Sequence, residues 1–121
     1  MIKSFRDLEA WKKAHDLAID IYKVTEDFPQ KEQFGLSSQM RRAAVSISSN
    51  IAEGFSRISL KEKIHFYSIA HGSNTELQAQ ILIAKDVDLL THEAADNLLT
   101  KAIEVHKILT GLLKSTRLRA N

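Results

Sequence analysis

Glu62 and His65 stand three residues apart, the spacing that sets a carboxylate and an imidazole on one face of a helix. In the di-metal carboxylate bundles a Glu-x-x-His pair occurs on two helices, and each of the other two helices adds a Glu. Here the pair occurs once, and Ser59, three residues before Glu62, makes Glu62 the acidic member of a helix capping box. The other histidines, His15, His71, His92 and His106, form neither His-x-x-x-His nor His-Glu-x-x-His, so zinc of the metalloprotease kind has no basis. The absence of cysteine excludes disulfides, thiolate nucleophiles and thiolate zinc sites together. Serines cluster from Ser37 to Ser49, without the strained strand-to-helix turn that presents a nucleophile, and no Gly-x-x-x-x-Gly-Lys or Gly-x-Gly-x-x-Gly loop is present. The expectation is a chain with no catalytic residues, no metal and no cofactor.

What remains is charge. The formal net charge is +2, too small to demand a nucleic-acid partner, so its distribution matters more than its sum. Glu32 to Lys63 holds five basic and three acidic residues, Ile64 to Thr100 one and five, and Lys101 to Asn121 five and one. Singly, such runs are solvated helix faces. Copied around an oligomer, Arg41, Arg42, Arg57, Lys61 and Lys63 become a surface for phosphates, because each contact adds counterion release.

The elements that must position these residues are helices. A chain of 121 residues, 44% hydrophobic and 26% charged with one proline and four glycines, is one globular domain's worth. Ser4 with Asp7 reads as a capping box opening a first helix, whose stripe Leu8, Trp11, Ala14, Ala18, Ile21, Tyr22 and Thr25 ends near Asp27, ahead of Pro29. Leu36, Met40, Ala43, Ala44, Ile47, Ile51 and Phe55 mark a second helix over about 34–55, with Gly54 near its C-terminus. Ser59 opens the third, through Leu60, Ile64, Tyr67, Ala70, Leu77, Ile81 and Ala84. Gly72 at its middle predicts close approach of a neighbouring helix in preference to a local bend. Thr91 caps a fourth, whose apolar repeat runs from Ala95 to Leu113, with fraying past Lys114. Trp11 and Leu77 are expected in the core.

Four amphipathic helices on short connections define the fold class as all-α, an antiparallel up-and-down four-helix bundle. The expectation is a single domain over 1–121, with an ordered core of about 4–114 and a basic tail, 115–121. Met1 to Arg6 lacks the apolar run of a signal peptide and no stretch nears the roughly 20 apolar residues that span a bilayer, so the expected location is cytoplasmic, with no membrane partner.

The second helix carries ten consecutive residues without charge, Ala43 to Ala52. Ten residues wind nearly three times round the axis, so this stretch has no strongly solvated face. With the stripe turned to the core, Val45 and Ala52 point away from it, where a monomeric bundle would place Lys or Glu. The expectation is a second packing surface against another subunit.

The segment Gln39-Met40-Arg41-Arg42-Ala43-Ala44-Val45-Ser46-Ile47-Ser48-Ser49-Asn50-Ile51-Ala52-Glu53-Gly54 resembles the signature of the 23S ribosomal RNA intervening-sequence proteins. Phe5-x-x-Leu8-x-x-Trp11-x-x-Ala14, Phe28-Pro29-x-x-Glu32-x-x-Gly35-Leu36 and Ala70-x-Gly72-Ser73-x-x-Glu76-Leu77 resemble the same family in the same order, to about Leu113. Ser48 departs from it, since many members carry proline there. The resemblance implies a left-handed antiparallel bundle, a homopentameric ring and no enzymatic activity. It also implies RNA or DNA as a partner and, from a related branch that accompanies diversity-generating retroelements, a reverse transcriptase.

Two functions follow as expectations. In one, the five basic residues engage RNA or DNA phosphates without reading sequence, since no RNA-binding aromatic motif or zinc module is present. In the other, the oligomer is a structural adaptor for another protein. Val45, Ser49, Asn50, Ala52, Glu53, Ser73 and Glu76 are expected at the subunit interface or in a polar network between helices two and three, with Arg41 or Arg42 as its cationic partner.

Overall fold

The computed structural model describes residues 2–120; Met1 and Asn121, which the expected single domain includes, lie outside them. Four helices follow in order: α1 Glu9–Thr25, α2 Leu36–Ser56, α3 Leu60–Asp86 and α4 His92–Ala120. Each boundary has a local cause. Ser4 and Asp7 do form a capping box, with Asp7 Oδ2 accepting from Ser4 N at 3.1 Å, but it closes a 3-10 turn, Phe5–Asp7, and α1 begins only after extended Leu8. At α3, Ser59 Oγ accepts from Glu62 N at 3.0 Å. The Glu62 carboxylate returns no bond among the described residues, so this is half a capping box. Thr91 Oγ1 accepts from Ala94 N at 3.1 Å and starts α4.

The turn between α3 and α4 is tight. Asp88 takes a φ of 62°, the left-handed region that Asp tolerates better than most residues, and Leu89 N and Leu90 N both donate to Ala84 O, at 2.8 and 3.2 Å.

Directions follow from cross-helix pairs. Ser46 meets Ser73 at 2.8 Å and the Phe55 carbonyl accepts from Lys63 Nζ at 2.6 Å, so advancing along α2 retreats along α3. Lys85 pairs with Asp96 at 3.0 Å and His71 with Thr110 at 3.3 Å, which sets α3 against α4 the same way. Lys13–Glu104 and Asp20–Lys101 make α1 antiparallel to α4. Sequential helices pack and α1 closes on α4, which is the up-and-down bundle.

Leu17, Ile21, Met40, Ile47, Ile51, Leu77, Ile81, Val105 and Leu109 are fully buried at the centre. Burying each contributes about 1.5–3 kcal/mol, which makes this column the dominant favourable interaction. One amide joins it: Asn74 donates to Ala102 O at 3.0 Å and accepts from Gln78 Nε2 at 2.6 Å, so both ends are satisfied.

Three expectations change. Trp11 is half-buried at the rim, packed against the core, stacked on His15 at 4.8 Å and edge-on to Phe5 at 5.1 Å. Gly72 is exposed, with nothing within 4 Å of a Cβ placed there; the close approach is at Gly54, where a Cβ would lie 2.7 Å from Tyr67 Cε1. The spacing is fixed by α2 against the buried Tyr67 ring. Finally, α4 does not fray at Lys114 but runs to Ala120. Thr116, 1% exposed, continues the stripe of Leu109 and Leu113 with its methyl group, while its hydroxyl donates to Leu112 O at 2.7 Å.

Candidate nucleic-acid interface

Two of the five basic residues stand apart from the other three. Arg41 and Arg42 occupy the second turn of α2, where Arg41 Nε donates to Thr25 Oγ1 at 2.8 Å and its guanidinium lies 4.8 Å from the Tyr22 ring centroid. Arg57 follows the far end of the same helix, sixteen residues or about 24 Å along the axis. One protomer therefore does not present the five as one patch. Arg57 pairs with Glu53 and lies 4.8 Å over the Phe66 ring. Lys63 Nζ donates to the carbonyls of Phe55, at 2.6 Å, and Gly54, at 3.3 Å, closing the C-terminus of α2. Burial, aided by nearby Arg119, pushes the Lys63 ammonium below its ordinary range. Arg42 and Lys61 make no ion pair among the described residues.

The helical continuation of α4 carries the cations expected in a basic tail. Because α4 is antiparallel to α3, its last turns lie beside the first turns of α3. Arg119 shares a cleft of about 280 Å³ with Lys63, Tyr67, Phe55 and Leu8, and Arg117 shares one of about 320 Å³ with Ser68, His71 and Thr110. Burial raises the Tyr67 hydroxyl above its ordinary range, with Arg119 opposing. Lys114, Arg117 and Arg119 thus join Arg57, Lys61 and Lys63 at one end of the bundle. The signal was legible as the five-to-one basic excess after Thr100; what was missing was the buried face of Thr116 that keeps the segment helical.

The residues expected in an interface or network fall into separate groups. Ser73 bonds Ser46, and Asn50 Nδ2 donates to Ser46 O at 2.8 Å and Ser46 Oγ at 3.1 Å, so Asn50 and Ser73 meet through Ser46 between α2 and α3. Glu53 pairs with Arg57, and Glu76 accepts from Gln80 Nε2 at 3.1 Å. Neither Arg41 nor Arg42 joins them. Val45 is 40% exposed, Ser49 is exposed and Ala52 is half-buried. Beside Val45 a cleft of about 450 Å³ is lined by Tyr22, Phe34, Ser38 and the two arginines, with Phe34 90% exposed.

Glu62 and His65 are both exposed, and His65 lies edge-on to Phe66 at 5.3 Å. Among the described residues no three His, Asp or Glu side chains gather where they could hold a metal ion, and no helix is long and apolar enough to cross a membrane.

These features define an all-α antiparallel four-helix bundle with one cation-rich end. The family model for the 23S rRNA-intervening sequence protein matches residues 6–111, and the chain belongs to that family. In three dimensions it is similar to the crystal structure of a protein of unknown function from the S23 ribosomal protein family of Bacteroides thetaiotaomicron VPI-5482. That match has a TM-score of 0.81 and 22% sequence identity, and covers 87% of this chain and 95% of the other. No curated protein matches the chain.

Proposed function

We propose that this chain is a non-catalytic, cytoplasmic, self-associating bundle whose cation-rich end holds the phosphates of RNA or DNA without reading their sequence. The observation that carries this reading is the convergence of Lys61, Lys63, Lys114, Arg117 and Arg119 from two helix ends, the start of α3 and the end of α4, on one end of the bundle. Dipoles of neighbouring antiparallel helices largely cancel, so the asymmetry comes from side chains and adds up when copies assemble. Self-association, in the homopentameric ring that the family resemblance implies, is supported by apolar side chains left in water: Phe34, Val45 and Tyr22 around one cleft. Nucleic-acid binding is tested by fluorescence anisotropy with unrelated RNA and DNA oligomers over a salt series. Affinity falling steeply and log-linearly with salt, for both, is expected; no binding at low salt overturns the reading. Light scattering giving a mass of 13.6 kDa at micromolar concentration overturns self-association.

The second reading, an adaptor that binds another protein such as a reverse transcriptase, is favoured by one observation. Arg41, Arg57 and Lys63 are already occupied by Thr25, Glu53 and the Phe55 carbonyl. It predicts no salt-dependent oligonucleotide binding.

A further inference from the structure

The groove between α3 and α4, about midway along both helices, holds an imidazole pair. The rings of His71 and His106 lie 4.1 Å apart, centroid to centroid, tilted by 38°. His71 lines a cleft of about 320 Å³ with Ser68, Thr110, Leu113 and Arg117, and His106 packs against its ring from behind the lining. The hydrogen bonds fix the His71 tautomer. Thr110 Oγ1 spends its only hydrogen on His106 O, at 2.9 Å, so toward His71 Nε2, 3.3 Å away, it can only accept. Neutral His71 therefore carries its proton on Nε2, and protonation adds a hydrogen and a full charge at Nδ1.

The surroundings oppose that charge. The groups that bear on His71 are His106 and Arg117, both from α4; its own helix has no charged residue from Tyr67 to Thr75, and no carboxylate lines the cleft. Burial first, then the two α4 groups, hold the His71 imidazole below its ordinary range. An imidazole and a guanidinium lining a cleft without a carboxylate, with a second imidazole packed on the first, are unsuited to a metal cation and suited to an anion.

The geometry points to the His71–Arg117 cleft as a seat for one phosphate group, held by the Arg117 guanidinium and the Ser68 hydroxyl and by His71 once protonated. This rests on the reading of the cation-rich end as a phosphate-binding surface and locates one discrete contact in it. Seating an oxyanion reverses the electrostatic cost of charging His71, so phosphate binding and His71 protonation strengthen each other.

The seat is tested by NMR titration of the His71 ring in the full-length protein, in inorganic phosphate and in chloride at matched ionic strength. The seat requires the His71 midpoint to rise by about one pH unit in phosphate, which corresponds to a tenfold preference of phosphate for the protonated ring. Arg117→Gln, at an exposed position, should abolish most of that rise. A midpoint identical in the two salts overturns the inference. The oligonucleotide arm separates the sources of phosphate. If single-stranded RNA binds with a steep salt slope that His71→Gln and Arg117→Gln both leave unchanged, the seat falls while the proposed function stands. If inorganic phosphate raises the midpoint but no oligonucleotide binds, the seat stands as a site for free phosphate and the proposed function falls.

Discussion

The two ends of this bundle are built from the same four helices and differ in charge. At one end the N-terminal segment, the α2–α3 connection and the last turns of α4 meet, and Lys3, Arg6, Arg57, Lys61, Lys63, Lys114, Arg117 and Arg119 outnumber Asp7, Glu9, Glu53 and Glu62. At the other, Glu26, Asp27, Glu32, Asp86, Asp88, Glu93 and Asp96 around the α1–α2 and α3–α4 connections outnumber Lys23, Lys31, Arg41, Arg42 and Lys85. Five cations read along the sequence as one basic segment thus lie in two opposite electrostatic settings. The sign of a local charge run says little about its potential until the helix ends around it are known.

The largest effect tests whether the two ends share one core. Leu77→Ala, at a fully buried position in α3, should cost about 2–5 kcal/mol and lower a single melting transition. Two separate transitions by calorimetry would show two independent ends and break the comparison. The next test uses two glycines of opposite sign. Gly54→Ala drives a methyl into the Tyr67 ring at the cation-rich end and should cost about 1–3 kcal/mol. Gly72→Ala, in open space on the same bundle, should stabilise by about 1 kcal/mol through helix propensity. Urea melts that moved in the same direction for both would mean that Gly54 is not where α2 touches α3.

Smaller effects sharpen the electrostatic contrast. Lys61→Glu should weaken oligonucleotide affinity severalfold and flatten the salt slope by about one, whereas Arg42→Glu should leave the slope unaltered. Equal losses would place both ends against the same ligand. The smallest effect is a pH dependence. His71 titrates lower in the folded chain than its ordinary value of 6.5, so the folded state binds fewer protons in that window. Stability present above about pH 6.5 should then decline as pH falls through the window, and His71→Gln should flatten the profile. Asp7 moves the other end of the scale: backbone N–H groups of Lys3 and Ser4 hold its carboxyl below 3.8, so its contribution is kept until the pH falls below that value. Chemical denaturation from pH 3 to 8 reads both.

Which stretches are helical, and which face of each helix is apolar, are legible in the residues alone. Leu77, Ile81, Ile47 and Ile51 follow from a 3.6-residue period that any helix imposes, and Ser59 and Thr91 mark starts because their hydroxyls satisfy free N–H groups locally. Whatever depends on distances between helices is not legible there. In sequence Gly54 reads as a helix C-terminus and Gly72 as a close approach, and only the placement of Tyr67 puts the close approach at Gly54. That the Asn74 amide is buried depends on Ala102 O lying 3.0 Å away on α4. Thr116 reads as tail until α3 and the N-terminal segment cover it, and with it the helix, the basic end and the Arg117 cleft come into being. Periodicity is a property of one helix and survives in the sequence. Whether a polar or small residue is buried is set by its neighbours on other helices, tens of residues away along the chain.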